Sequence, residues 1–218
     1  MPVREIIVLG SGGNSFDIID LIADINSKEE RYRCRGILDD SPAAQGKSVL
    51  GVPVVGRLAD VHEYRSALVV NAIGSHKNFW KIAGIISALG LGDERLATLV
   101  HPSASVSSSA VLEPGAVVHR LAAIQSQVRI GRHAMIHPGA VVGHFSQVGG
   151  HTHVMGNAVV FGQVAIGEAC WLAPNSSVSG GLSLGRHVLV GMNSAVLGDV
   201  AENSVVVGCP ARFTRHVH

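Results

Sequence analysis

Twelve histidines in 218 residues are many, and their spacing decides what chemistry they can do. His144 is the best placed for acid–base work. An imidazole accepts a proton near neutral pH, which attack by an amine or hydroxyl on a thioester requires. His144 directly follows Val142 and Gly143, at what the surrounding pattern makes a corner. His101, His119 and His137 recur at intervals of 18, as do His133 and His151, whereas His153 and His187 stand alone; most of these read as surface or corner residues. A second group lies near the N-terminus. Gly10-Ser11-Gly12-Gly13-Asn14-Ser15 is placed to offer backbone N–H groups to a phosphate at the start of a helix, or to form a tight turn with no ligand. A full dinucleotide fingerprint would need glycine where Ser15 stands. Asp39 and Asp40 fall where an acidic side chain can meet a ribose or base, although Asp39-Asp40-Ser41-Pro42 reads equally as a solvated turn.

The elements that must position these residues are of two kinds. From Val106 to Val196 every sixth residue is Val, Ile or Leu, sixteen positions without interruption. Two residues before each, the side chain is usually small, as at Ala104, Ala116, Ser146, Thr152 and Cys170. A helix repeats at 3.6 and a half-buried strand at 2, so neither explains a period of six. Short flat strands joined by tight corners do, three to a triangular coil, with rungs ~4.8 Å apart. Residues 101–208 are therefore expected to form a left-handed parallel β-helix in which residues 18 apart stack. Gly131, Gly143, Gly149, Gly167, Gly185 and Gly191 follow the aliphatic position directly, where a corner is expected to demand a backbone conformation that favours glycine.

Residues 1–99 have another texture, apolar runs alternating with helix-like stretches. Strands are expected at 5–9, 32–38 and 67–73, and helices near 15–25 and 77–89, giving a small parallel sheet. The chain thus divides into a small Rossmann-like α/β domain (1–99) and a β-helix domain with a C-terminal tail (100–218).

Composition removes several function classes. Seventeen basic and sixteen acidic residues with no run of like charge disfavour a nucleic-acid partner. Cys34, Cys170 and Cys209 lie far apart, with no zinc-type cluster, so no metal is expected and a reducing, cytoplasmic setting is. No apolar stretch approaches the ~20 residues that span a bilayer, and the N-terminus lacks a signal-peptide pattern.

Six stretches jointly resemble a known family: Ile7-Val8-Leu9-Gly10-Ser11-Gly12-Gly13, Leu38-Asp39-Asp40, Gly51-Val52-Pro53-Val54-Val55-Gly56, Ala72-Ile73-Gly74, His101-Pro102-Ser103-Ala104, and Val205-Val206-Val207-Gly208-Cys209-Pro210-Ala211-Arg212. The chain resembles the bacterial nucleotide-sugar N-acetyltransferases and sialic acid O-acetyltransferases. The resemblance implies acetyl transfer from acetyl-CoA to the amine of a nucleotide-linked amino sugar for surface glycans, in a homotrimer. O-acetylation of a sugar such as a sialic acid, and a non-catalytic binding or assembly coil, are the alternatives. It also implies His144 as general base, His153, Gly162, Pro174 and Gly180 at the coenzyme, and Gly12, Gly13, Asp39, Asp40, Gly56 and Gly74 at the nucleotide. Two departures stand out: Phe145 occupies the place where the family usually has an acidic residue beside its base, and Asn14 the place of a common histidine.

Overall fold

The computed structural model describes residues 2–217. The N-terminal part is a five-stranded sheet of β1 (Arg4–Leu9), β2 (Tyr32–Leu38), β3 (Ser48–Val49), β4 (Val52–Gly56) and β5 (Leu68–Asn71), in the order β3-β4-β2-β1-β5. β1 pairs in parallel with both β2 and β5, while β3 and β4 form an antiparallel hairpin. That hairpin is absent from the sequence reading. Its turn residues Leu50 and Gly51 take φ of 46° and 81°, a two-residue connection whose twist suits a hairpin. Helix α1 (Gly13–Asn26) leaves β1 and leads to β2, and the chain later crosses to β5 on the other side of β1. The order therefore reverses at β1, and the C-terminal ends of strands at such a point leave a crevice.

Helix α2 (Ile82–Ser87) is shorter than the 77–89 stretch read from the sequence. Asn78 explains its late start: its Oδ1 accepts from the N and Oγ of Ser75 at 2.8 and 2.9 Å, fixing a turn before the short 3-10 segment Phe79–Lys81. Gly90, at φ 60°, closes the other end.

The remainder is a parallel β-helix of two-residue strands on three faces. Face one runs from Leu99–Val100 through Met135–Ile136, His153–Val154 and Trp171–Leu172 to Leu189–Val190, and is extended by Ser204–Gly208 and the antiparallel Ala211–His216. Face two runs from Ser105–Val106 to Ala195–Val196, and face three from Val111–Leu112 to Ser183–Leu184. The rungs pair in register with the residue 18 on, as Met135 with His153 and His153 with Trp171, until the last coil, where Leu189 pairs with Val205. The aliphatic positions fill the interior: Val118, Ile130, Ile136, Val142, Val154 and Val160 are all fully buried. Each such side chain contributes about 1.5–3 kcal/mol. The small residues two places earlier are enclosed as well, and some bond the next rung. Thr152 Oγ1 donates to the Gly167 carbonyl at 2.9 Å and accepts from Cys170 N at 2.9 Å.

The corner glycines act differently from expectation. Gly131 and Gly143 do not take positive φ; that conformation belongs to the residue two places later, His133 at 56° and Phe145 at 60°. A Cβ on Gly131 would lie 2.6 Å from Gly150 N and 2.8 Å from Gly149 C in the next coil. Close approach of successive coils, rather than backbone conformation, excludes a side chain there.

Both apolar layers of the N-terminal sheet continue into face one. One joins Ile6, Ile18 and Ile22 to Val117 and Met135; the other joins Ile7, Phe79 and Ile82 to Trp171 and Val205. Among the described residues no helix is long and apolar enough to cross a membrane.

Candidate functional site

The glycine turn after β1 opens onto a cavity of about 440 Å³ whose lining includes Gly10, Gly12, Gly13, Asp39, Asp40 and Gly74. Gly10 is required by its φ of 93° and because a Cβ would meet Ile73 Cγ1 at 2.8 Å. Gly12 and Gly13 differ: a Cβ on either would meet nothing within 4 Å, so their backbones face open space. Ser15, where a full fingerprint would have glycine, is buried and donates from Oγ to the Gly12 carbonyl at 2.6 Å, tightening the entry to α1.

Asp39 Oδ2 accepts from Ser11 N at 2.7 Å and Ser11 Oγ at 2.6 Å, and Oδ1 accepts from Ser41 N at 2.8 Å. Burial works to raise its pKa, but these hydrogen bonds outweigh it and hold the carboxyl below its ordinary value. Asp40 accepts from Leu58 N at 3.0 Å and faces Arg57 Nε at 3.7 Å. Gly56 is not part of the lining; its carbonyl accepts from Asp39 N at 3.0 Å and so braces the cavity from behind. Asn14 donates to the carbonyls of Gly74 at 3.1 Å and Ala72 at 3.3 Å, tying the start of α1 to the end of β5. Ser75 and Asn78, unmarked in the sequence reading, complete this region; their Ser-x-x-Asn spacing is a turn signal that could have found them.

His144 stands at the corner that follows face two, exposed, in a column with Ser126 below and Gly162 and Gly180 above, each 18 residues apart. A Cβ on Gly162 would lie 2.6 Å from His144 Cε1, and one on Gly180 would lie 3.1 Å from the Gly162 carbonyl. The imidazole therefore rests on bare backbone, and the next two positions of its column, Gly162 and Gly180, carry no side chain, with the exposed Phe161 beside them. His144 N donates to Gln125 Oε1 at 3.1 Å. The Phe145 ring meets the imidazole edge-on at 5.3 Å and is 57% exposed. Among the described residues no carboxylate is hydrogen-bonded to the His144 ring. An open depression of about 490 Å³ adjoins it, lined by Ser105, Ser107, Gln125 and Ser126 among others.

The structure does not bring the four expected coenzyme residues together within one chain. Pro174 follows Leu172 at the corner between faces one and two, the opposite edge of face two from Gly162 and Gly180. His153 lies in face one beneath the N-terminal sheet with no exposed surface. Its ring stacks on Trp171 at 4.9 Å and His137 at 5.5 Å, and a Cβ on Gly74 would touch its Nε2 at 2.7 Å. Burial, followed by the charges of His151 and His119, pushes its pKa down to about 3. A ring enclosed in this way backs the wall of the N-terminal cavity and cannot touch a ligand on the His144 edge. His119, His133 and His137 lie at corners, one of the two placements expected, but each is buried there. Among the described residues no group of three or more histidines, cysteines and carboxylates is arranged to hold a metal ion.

No family model matches the sequence, and no curated protein matches it. Solved structures do. PerB from Caulobacter crescentus, solved with CoA and GDP-perosamine, is 28% identical with a TM-score of 0.83, covering 98% of this chain and 99% of its own. The acetyltransferase domain of PglB from Neisseria gonorrhoeae, solved with acetyl coenzyme A, is 26% identical with a TM-score of 0.83, covering 98% of this chain and 100% of its own. WeeI from Acinetobacter baumannii shares the fold at 18% identity and a TM-score of 0.80, over 97% of this chain. The likeness to bacterial nucleotide-sugar acetyltransferases thus extends over both the sheet and the coil.

Proposed function

We propose that this chain is an acetyl-CoA-dependent N-acetyltransferase acting on the amine of a nucleotide-linked amino sugar, with residues 1–99 serving as a Rossmann-like nucleotide-binding domain and residues 100–218 as the acyltransferase coil. One observation carries the reading. A single chain with the fold of PerB joins a glycine-turn cavity, lined by Gly12, Gly13, Asp39 and Asp40, to an exposed histidine whose column continues through Gly162 and Gly180.

In this reading the N–H groups entering α1 take the diphosphate, and Asp39 or Asp40 takes a hydroxyl or base edge. Asp39 is held ionised by Ser11 and Ser41, as an acceptor must be. Acetyl-CoA, when bound, supplies an acetyl group activated as a thioester. Gly162 and Gly180 fit it because neither carries a side chain, which leaves room for the coenzyme to lie close to the coil beyond His144. Pro174, at the far corner of face two, reaches the same groove only from a neighbouring copy, which favours a homotrimer with its sites between subunits. His144 accepts the proton that the sugar amine loses on acylation. Without an adjacent carboxylate, its ring is held by the Gly162 floor, the Phe145 edge and the backbone bond to Gln125.

A thermal-shift comparison tests the reading. Acetyl-CoA and one nucleotide diphosphate are each expected to raise the melting temperature, since ligands of the folded state stabilise it by linkage. Stabilisation by acetyl-CoA with no response to any nucleotide would favour a free-sugar O-acetyltransferase, and no response to acetyl-CoA at millimolar concentration would remove the transferase reading.

A further inference from the structure

The polar groups of the cavity beside the glycine turn change from acceptors to donors across the sheet. On the β2 side stand the carboxyl groups of Asp39 and Asp40. Over β1, the N–H groups of Gly13 and Asn14 open helix α1 without an acceptor among the described residues; the first to bond is Ser15 N, to the Gly12 carbonyl at 3.0 Å. The β5 side holds one more donor, on Asn78. That residue lines the cavity and directly precedes the 3-10 segment Phe79–Lys81, yet its side chain does not cap the segment. Oδ1 turns back to take both the N–H and the hydroxyl of Ser75, which settles which end of the amide is oxygen.

Nδ2 is the end left over. It has no hydrogen-bond partner among the described residues and, unlike the orphaned ring nitrogens of His119 and His153, it is not enclosed. Ser75 cannot take its place, because its hydroxyl proton goes to Asn78 Oδ1 and its oxygen accepts from Lys77 N at 3.2 Å. The segment carrying the amide is set beforehand. Asn71 Oδ1 accepts from Ile73 N at 2.9 Å, Asn14 Nδ2 donates to the Gly74 carbonyl at 3.1 Å, and Lys81 N donates to the Asn78 carbonyl at 2.8 Å. A donor fixed in this way loses little conformational freedom on engaging a ligand. Carboxylates repel phosphate, so a nucleotide with its ribose or base at Asp39 and Asp40 must run its diphosphate from the start of α1 toward β5. The α-phosphate then meets the α1 amides first, and the β-phosphate reaches Asn78.

We propose that Asn78 Nδ2 holds the β-phosphate, the one that bears the sugar, and so sets where the amino sugar leaves the cavity; this assignment rests on the nucleotide-sugar reading above. Asn78→Asp is the informative variant. Its carboxylate still accepts from Ser75, which keeps the turn, but it puts an oxygen where the free donor was. The full chain is titrated calorimetrically with the monophosphates and diphosphates of guanosine, uridine and thymidine. The wild-type chain is expected to bind the diphosphate of its preferred base more tightly than the monophosphate. Asn78→Asp should lose about 10- to 100-fold in diphosphate affinity while its monophosphate affinity stays within about threefold. Asn78→Ala, which removes the donor without adding charge, should lose about five- to tenfold in the same selective way. Equal weakening of monophosphate and diphosphate would make Asn78 a part of the turn only, and unchanged diphosphate affinity in folded Asn78→Asp would give the β-phosphate to another group; either result overturns the proposal. A wild-type chain that binds none of the six nucleotides would overturn the nucleotide-sugar reading along with it, which separates the two failures.

Discussion

At the scale of single residues, the proposed chemistry rests on how one imidazole is held. His144 has no carboxylate to orient it, so the bare backbone beneath becomes the main constraint on the ring. Gly162→Ala puts a methyl group 2.6 Å from His144 Cε1. Because that ring is exposed and free to swing aside, stability should change by no more than about 1 kcal/mol while kcat falls about 10- to 100-fold. An unchanged kcat in a folded Gly162→Ala enzyme would show that ring placement does not matter. His144→Ala is expected to lower kcat by about 10²–10⁴ with little change in nucleotide affinity, since only the proton acceptor is lost. The candidacy of His144 was legible from its position after Val142 and Gly143, and so was the column it shares with Gly162 and Gly180, by counting eighteens. The same count separates Pro174, twelve residues from Gly162 and therefore on another corner. The burial of His153 was not legible, because a six-residue period reports which side chains point outward but not which outward face another part of the chain will cover.

At the scale of elements, the coil's corners make two distinct demands, one at nearly every corner and one at only some of them. At some corners the position after the aliphatic residue needs space, as at Gly131 and Gly143, whereas Gln125, Met155 and Phe161 fill it at others; the position two later takes positive φ, as at His133, Phe145, Asn157 and Asn175. Gly115, Gly139, Gly181, Asn157, Asn175 and Asn193 mark that position in the sequence, but residues such as Phe145 and Gln163, which tolerate the conformation at about 1–2 kcal/mol, blur the signal. Gly131→Ala should therefore destabilise the coil by about 1–3 kcal/mol through its clash with the Gly149–Gly150 backbone, which cannot move without parting the rungs. His133→Gly, two residues on, should relieve backbone strain at the expense of ring packing. Urea denaturation of the two variants separates the demands: equal destabilisation would contradict the distinction. In the N-terminal sheet, β1, β2 and α1 were readable as apolar runs and a helical period. The β3–β4 hairpin escaped because Ser48–Val49 is too short to carry a pattern and Pro53 argues against a strand, although it sits near the start of β4, before the residues that pair with β2.

At the scale of the whole molecule, histidine concentrates where the sheet rests on the coil. His119 and His151 are pushed down to about 4, His133 and His153 to about 3, and His137 well below its ordinary value, in each case chiefly by burial. Folded-state values below the unfolded value near 6.5 mean that the unfolded chain binds more protons as pH falls. The stability these groups confer is complete above pH 6.5 and declines below it by about 1.4 kcal/mol per pH unit for each imidazole that must stay neutral, until the folded values near 3–4 are reached. Thermal unfolding monitored from pH 8 to pH 5 should show a plateau and then a steep fall beginning near 6.5, whereas a flat profile down to pH 5 would mean that these rings are hydrated or paired. The groove proposed for the coenzyme also needs a neighbour, because Pro174 and Gly162 lie on opposite edges of face two. Light scattering should report a trimer, and a monomer retaining full activity would remove the inter-subunit site.

The most direct test incubates the purified chain with acetyl-CoA and a panel of nucleotide-linked amino sugars that includes GDP-perosamine, following release of the coenzyme thiol and the mass of the nucleotide sugar. Addition of one acetyl group to the amine of at least one member is expected, with loss of that activity in His144→Ala and competition by the free nucleotide. Acetylation of free sugars with no dependence on the nucleotide, or undiminished transfer by His144→Ala, would contradict the assignment of the substrate or of the base.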